Sequence, residues 1–432
     1  MQCALAISAD CGGAQMISPL RFVREDDGNV AVVFALALIP MAGMVGAALD
    51  YSRLSSEQAR LQALADRAAI AASLAPDTSD TQRIAVASSF FPPPPPPTPG
   101  APTPDPAKPT LAVAVDGAKV TITTTSPVKP AVMGLMGMDY MQARVSTSAV
   151  QITTGRPVCV LALHPTARDA ISFAGNTTFV ADGCAIHANS TSGSAVSSQG
   201  SAVAKAWSFC AVGGVSGSNF TVTSPTAGGP KGGCFRQKDP FKNLAAPSIG
   251  VCTNQTTNVS VQPNQNKTLD PGTYCGGIDL KGTVTLRAGT YVIKGGTLSI
   301  ASQANVTGEG VTFYLTDTGA SFDINGGGTV KLEAPASGDY RNMLIIQNPA
   351  SNAGATNKLN GNASMTVKGA IYTPTQTVAV TGTGGFGSTG TFMPLVASMI
   401  SFSGNSTTRA DTAANPTKEP LPLSEMGARL TN

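Results

Sequence analysis

Val30 to Leu49 is a run of twenty residues without a charged side chain. As a helix rising 1.5 Å per residue it reaches about 30 Å, the thickness of a bilayer's hydrocarbon core. The pattern then changes without a break. From Asp50 to Ser73, Leu54, Leu61, Leu64, Ala65, Ala68 and Ala72 recur at helical spacing, with Arg53, Glu57, Arg60 and Arg67 falling largely between them. Neither Gly nor Pro occurs from Asp50 to Leu74. The pattern predicts one long helix, half in lipid and half out, with Val30, Phe34, Leu38, Pro40, Gly43, Gly46 and Leu49 as the membrane anchor. Pro40 is expected to kink the helix rather than end it. Ala42, Gly43, Gly46 and Ala47 form overlapping small-x-x-x-small pairs; these suit close helix contact in lipid, and equally reflect the ordinary composition of such spans. The main rival is a cleavable secretory signal, which has a shorter apolar core and is followed by a loop rather than a helix.

Further along, the period changes. "TQRIAVASSFF" extends the helical region with a short helix. "FPPPPPPTPGAPTPDPAKPT" is a semi-rigid, extended spacer. In "LAVAVDGAKVTITTTSPV" two alternating runs flank Asp116-Gly117, which predicts a hairpin. "AVMGLMGMDYMQARVSTSAVQI" then reads as a short helix followed by a strand. From Cys159 onward, short β-prone runs such as "VTFYL", "MLIIQ", "GAIYTP" and "LVASMISFSG" alternate with Gly, Asn and Ser turns. "LDPGTYCGGIDL" is echoed by "LRAGTYVIKGGTLSI", with the Gly-Thr-Tyr units 17 residues apart. Asn followed by a Ser/Thr/Val-rich run recurs at Asn176, Asn219, Asn258, Asn305, Asn362 and Asn405, with Asn325 dividing the longest gap. Most gaps are near multiples of about twenty residues, a rung length for a solenoid. The expected fold is therefore mixed: a transmembrane and amphipathic helix, a small α+β module, and an all-β, right-handed β-helix-like domain. A β-sandwich is the rival for the last part.

Composition narrows this. Asp, Glu, Lys and Arg make up only 12% of the chain, while Gly (46) and Pro (31) are abundant. The net charge of +3 is unclustered, and no basic patch with interleaved aromatics is present, which argues against a nucleic-acid partner. Cys3 and Cys11 precede the span. The other six, Cys159, Cys184, Cys210, Cys234, Cys252 and Cys275, follow it at gaps of 25, 26, 24, 18 and 23 residues. The absence of any C-x-x-C pair weakens a zinc or redox reading. An even set after a membrane segment suggests disulfides in an oxidising compartment. Residues one rung apart in a solenoid stack at about 4.8 Å. Sequence neighbours would then pair as Cys159–Cys184, Cys210–Cys234 and Cys252–Cys275, among the fifteen connectivities that six cysteines permit. Arg21 and Arg24 before the span favour a cytoplasmic N-terminus, though Glu25, Asp26 and Asp27 are adjacent and Arg53 and Arg60 follow. The downstream cysteines decide for an external C-terminal bulk. Met16 opens a short basic leader and is the expected start.

Candidate chemistry is sparse. The acidic residues of the C-terminal region are scattered; Asp279 and Asp323 are the pair expected on neighbouring rungs, and polysaccharide-active β-helices need such a cluster. His164 and His187 lie 23 residues apart, one rung if stacked. Asp77-Thr78-Ser79-Asp80 resembles a metal-dependent adhesion motif but lacks the hydrophobic strand that should precede it. Trp207 is expected in the core. The Asn-x-Ser/Thr sequons read as turn and ladder composition. No catalytic residue, metal site or cofactor is expected.

"DDGNVAVVFALALIPMAGMVGAALDYSR" followed by "ARLQALADRAAIAAS" resembles the N-terminal domain of TadG-like Flp (tight-adherence) pilus-assembly proteins: the Gly-Asn start, the Asp-Tyr after the span and the Ala-rich helix occur in that order. The strand–strand–helix–strand pattern and the Gly/Ser-rich β-helical region are also similar to that family. The resemblance implies a pilin-like hydrophobic helix. It departs from true prepilins at Val33, where an acidic residue goes with processing after Gly28, so an uncleaved anchor is expected. The expected organisation is a leader over 1–25, the anchor domain over 26–90, a Pro-rich linker over 91–110, a small module over 111–154, a β-helix-like domain over 155–410 and a tail over 411–432. The expected function is a non-enzymatic component of a Flp/Tad (type IVb) pilus system in the inner membrane, with its bulk periplasmic or on the cell surface. Its expected partners are the membrane, other pilus-assembly proteins and surface glycans. The alternatives are an envelope adhesin or glycan-binding protein, and then an anchored polysaccharide lyase or hydrolase.

Overall fold

The computed structural model describes residues 29–75, 79–91, 109–225, 228–351, 354–361, 365–382, 385–386, 394–405, 407–410, 421 and 423–431. The expected leader, most of the Pro-rich linker, Cys3, Cys11, Asp77, Asn362 and most of the C-terminal tail lie outside these residues. The chain divides into two compact units: residues 1–69, 84–148 and 430–432 form the first, and residues 70–83 and 149–429 the second.

In the first unit, helix α1 (Asn29–Ser73) is a single helix of 45 residues that continues through Pro40 and reaches into the second unit. Helix α2 (Asp80–Ser88) follows. Strands β1 (Thr110–Asp116) and β2 (Lys119–Val128) form an antiparallel hairpin, with Val115 opposite Val120 and Asp116 opposite Lys119. Gly117 takes the turn at φ 55, where a residue without Cβ is at no disadvantage. Strand β3 (Met141–Ala162) pairs with β2, and hydroxyl pairs link Thr121 to Ser148 and Thr123 to Ser146. Val120, Ile122, Ala143 and Val145 are buried at alternate positions, and Leu61, Ala65 and Ala68 of α1 are buried as well. Two expectations change. The segment after Val132 is not a helix proper but one 3₁₀ turn, Met133–Met136, closed by Gly137 at φ 86. The module boundary at residue 154 falls inside β3, which runs unbroken for 22 residues from one unit into the other.

The second unit is a stack of parallel strands. Thr257–Val261 pairs with Gly272–Leu280, which pairs with Gly289–Ile300, which pairs with Val311–Thr316 and Ser321–Asn325; Met343–Gln347 and Thr356–Gly361, then Ala370–Gly382, then Leu395–Phe402 continue the row. Two further parallel sheets accompany it, one of Asn266–Leu269, Thr283–Leu286, Asn305–Glu309, Val330–Glu333 and Met365–Lys368, the other of Gly385–Phe386, Thr407–Arg409, Thr178–Ala181, Val203–Ala206 and Phe220–Val222. Offsets between paired residues vary from 17, at Asn266 and Thr283, to 35, at Ile324 and Leu359. The repeat is thus more irregular than a fixed twenty-residue rung, because excursions such as 334–342 are inserted between strands.

The order of the rows is not the order of the chain. Leu395–Phe402, the last strand of the main row, pairs with the C-terminal half of β3 and with Ile171–Phe173: Leu395 opposite Val160, Ile400 opposite Ile171, Phe402 opposite Phe173. From there the row continues to Ala185–Ala188 and Val196–Ser198, and ends at Phe209–Ala211 and Val215–Ser216. A column of glycines records the same order. A Cβ on Gly382 would meet Gly361, one on Gly404 would meet Gly382, one on Gly175 would meet Gly404, and one on Gly200 would meet Gly175. The Phe173 and Phe402 rings stack across the seam, 5.1 Å apart and 7° from parallel.

The segment 232–256 crosses back from the end of the row to its beginning. Eighteen residues from Cys234 reach at most about 60 Å when extended, enough for the roughly 40 Å that eight strand spacings need. On the way Gln237 exchanges two hydrogen bonds with Asn189, Tyr372 donates to Asp239 at 2.8 Å, Tyr340 donates to the Ala245 carbonyl at 2.6 Å, and the Gly250 N–H donates to Thr273 at 2.8 Å. Phe241 covers Tyr372 in an apolar cluster with Val292, Tyr314, Ile346 and Val396, distinct from the main core. Disulfides Cys210–Cys234 and Cys252–Cys275 fasten this strap at its two ends, and Cys159–Cys184 joins two adjacent rows. Only the last of these follows the rung-to-rung geometry expected from spacing; the other two tie a crossing segment to the stack.

Candidate functional site

The segment of α1 that carries the anchor is the one place where the described chain presents a long apolar surface. Phe34, Leu38 and Leu49 are exposed, as are Val32, Val33, Leu36, Ile39, Met41, Met44 and Val45. Pro40 and Gly43 are exposed too, and Val30 belongs to the same helix. The helix is long and apolar enough to cross a membrane, with only 6% of its most hydrophobic window buried by the protein. A helix in water would hide such a face.

The two glycines of the small-residue motif have different roles. Nothing lies within 4 Å of a Cβ built on Gly43, whereas one on Gly46 would fall 2.6 Å from Cβ of Val132. Gly46 therefore admits the loop that precedes the 3₁₀ turn, and its smallness is used inside the chain. One turn further on, Asp50 is fully buried. Its carboxylate accepts the backbone N–H groups of Ala131 at 2.6 Å, Val132 at 3.0 Å and Met133 at 2.9 Å. Three donors on one carboxylate cap the 3₁₀ turn as a side chain caps a helix N-terminus. Further along α1, Thr147 of β3 and Gln62 both donate to Asp66, at 2.8 and 2.7 Å. Asp50 and Asp66 thus fasten the small module to the helix at two heights. The pattern of charges placed both among the polar positions. Their signal was Asp50's place as the first charge after the uncharged run, directly ahead of Tyr51.

The candidates in the second unit stand apart. Asp279 and Asp323 are not on neighbouring rows: Asp279 is opposite Ser299, and Ser299 is opposite Asp323. Asp279 is paired with Lys281 at 2.7 Å, and Asp323 lies 3.9 Å from Lys358. His187 is buried opposite Leu161, and burial pushes its imidazole down to about 4, so the ring is neutral at neutral pH. His164 instead accepts the N–H groups of Thr166 and Ala167 through Nδ1. Trp207 is half-buried, with the Arg156 guanidinium 5.1 Å above its ring. Among the described residues no group of three or more His, Cys, Asp and Glu side chains is placed to hold a metal ion.

No match to the chain was found among curated proteins or solved structures. The comparison with protein families gives one at the N-terminus, over the first two-thirds of α1 and the start of the segment behind it. Residues 28–78, which hold the apolar helix, Gly46, Asp50 and Asp66, form a Tad domain, described as putative Flp pilus-assembly TadE/G-like.

Proposed function

We propose that this chain is a membrane-anchored structural or assembly component of a Flp/Tad-type (type IVb) pilus system, with no enzymatic role. The observation that carries it is the coincidence of the TadE/G-like match, residues 28–78, with the helix apolar enough to cross a membrane. In this reading α1 is an uncleaved single pass of the inner membrane. The bulk of the chain is periplasmic or on the cell surface, where disulfides persist. The parallel rows of the second unit are successive coils of a right-handed β-helix-like solenoid. Supporting this are three parallel sheets running in the same row order and the strong right-handed preference of parallel crossovers. The partners are the membrane and other pilus-assembly proteins, and the mechanism is mechanical: the helix holds, and the solenoid offers surface. Deleting the gene is expected to abolish or alter pili seen by electron microscopy; unchanged pili would overturn the reading. A C-terminal alkaline phosphatase fusion should be active in cells, and an inactive one would refute the external placement.

One observation favours a second reading, a glycan-binding envelope adhesin. Thr268, Thr285 and Thr307 stand in register, beside a row of Asn266, Thr283 and Asn305, all exposed. Such a flat lattice of hydroxyl and amide groups suits sugar hydroxyls. Normal pili combined with lost surface adherence would select this reading over the first.

A further inference from the structure

The loop that Asp50 holds carries the most exposed large apolar side chains of the first unit apart from the anchor itself. Leu135 is 87% and Met136 83% exposed, and Met138 and Tyr140 follow. A short loop in water has no reason to display four such side chains in six residues. Its position supplies one. Ala131, Val132 and Met133 are fixed by their N–H groups to Asp50, and Val132 lies against Gly46. Gly46 and Asp50 are one turn apart, about 6 Å along the axis, and the uncharged run ends between them, at Leu49. The loop is therefore clamped to the helix at the level where the apolar span gives way to charge. Directly beyond it, Arg53 and Lys129 line an open groove of about 560 Å³, together with Arg60, which is paired with Glu57. Apolar side chains at the level of the span's end, with cations one step outward, match the layering of a bilayer's acyl boundary and its phosphates.

We propose that the loop Val132–Tyr140 is a second membrane contact, seated in the bilayer interface beside the anchor, with Leu135 and Met136 in the acyl region and Arg53 and Lys129 at the lipid phosphates. The occupant is the lipid surface itself. The contact rests on the reading of α1 as a membrane span. Its consequence is orientation: a single helix spins freely about its axis, whereas a helix with a clamped side wedge presents the small module to the bilayer in one way only.

Labelling of the full chain in lipid nanodiscs at one copy per disc tests this, with Cys3→Ser and Cys11→Ser removing the cysteines outside the disulfides. A fluorophore is attached at Met136→Cys, at Leu38→Cys within the span, and at Lys119→Cys on the exposed hairpin. The label at 136 should be quenched by bromine on lipid acyl chains, as at 38. Its quenching by aqueous iodide should be about tenfold weaker than at 119, the partition expected for burying one such side chain. Leu135→Cys should give the same two readings. Equal iodide quenching at 136 and 119 would overturn the proposal, with lipid quenching at 38 showing that the anchor itself is sound. Protection from both quenchers that appears only with two copies per disc would assign the loop to a protein partner and overturn it too. Loss of lipid quenching at 38 would remove the span and the wedge together.

Discussion

The two units are held together by opposite means. The first relies on a few directed polar clamps: one carboxylate on three backbone N–H groups at Asp50, and one hydroxyl on Asp66. The second relies on area and closure, a continuous apolar core from Val160 to Ala410, two fastened ends of a strap, and an aromatic seam. A polar clamp sets geometry with little buried surface, which suits a segment whose helix must leave its apolar side free. A parallel stack cannot be specified by local contacts, because each strand's partner is one whole circuit of chain away.

That contrast sets the order of the following expectations. The sharpest break is at the seam: Phe173→Ala should cost the second unit about 3–5 kcal/mol, the range for a buried aromatic, read by urea unfolding. A cost below 1 kcal/mol would mean that the seam is not a core contact. Replacing Cys252 and Cys275 together by Ser should cost about 3 kcal/mol, from the chain entropy of the closed loop; no change in the denaturation midpoint would show that the strap is held by its side-chain contacts alone. The third is acid sensitivity. The His187 imidazole binds a proton below 6.5 when unfolded but only below about 4 when folded. The unfolded state thus binds more protons as pH falls from 6.5 to 4, and stability is lost across that window, by about 3 kcal/mol when complete. His187→Leu should flatten that part of the stability–pH curve relative to the parent, and an unchanged slope would place the ring in water. In the first unit the two glycines separate directed fit from mere smallness. Gly46→Ala should cost about 1–3 kcal/mol by overpacking Val132, while Gly43→Ala should be neutral or stabilising by up to about 1 kcal/mol through helix propensity. Equal effects in thermal melts would contradict the docking of the loop on Gly46. The smallest effect belongs to the exposed Lys205–Asp182 pair, whose removal by Lys205→Met should change stability by less than about 1 kcal/mol and less still at high salt.

Much of this was legible in the residue pattern, for reasons that differ by region. The long helix is written in a period that its own backbone imposes, and the β1–β2 hairpin in alternation around Asp116-Gly117. Both are local, and local periodicity reports them. The short helix expected after Ala131 failed because Gly134 and Gly137 stop it after one turn. The buried role of Asp50 was hidden, since a first acid after a span is ordinarily a solvated one; only its partners, more than eighty residues away, make it a cap. The row order was hidden too. Repeats of Gly-Thr-Tyr report that neighbouring coils are alike, not that Phe402 will meet Phe173 or that Asn405 will accept from Asn176 at 3.1 Å. The strap "GGCFRQKDPFKNLAAPSIGVC" has no period at all; its only marks were Pro240, Pro247 and a cysteine at either end.

The place of β3 inside the row, rather than at its edge, bears on how the chain is made. Three rows lie beyond it on one side, and these can assemble as soon as residues up to about 234 emerge. Its other side pairs only with Leu395–Phe402, the last strand of the main row. A chain delivered from its N-terminus thus carries an open, apolar strand edge from early in synthesis until nearly its last residues arrive. Closure of that edge is a molecular proof of full length: an interrupted chain keeps an adhesive, protease-accessible flank, and only the complete one loses it.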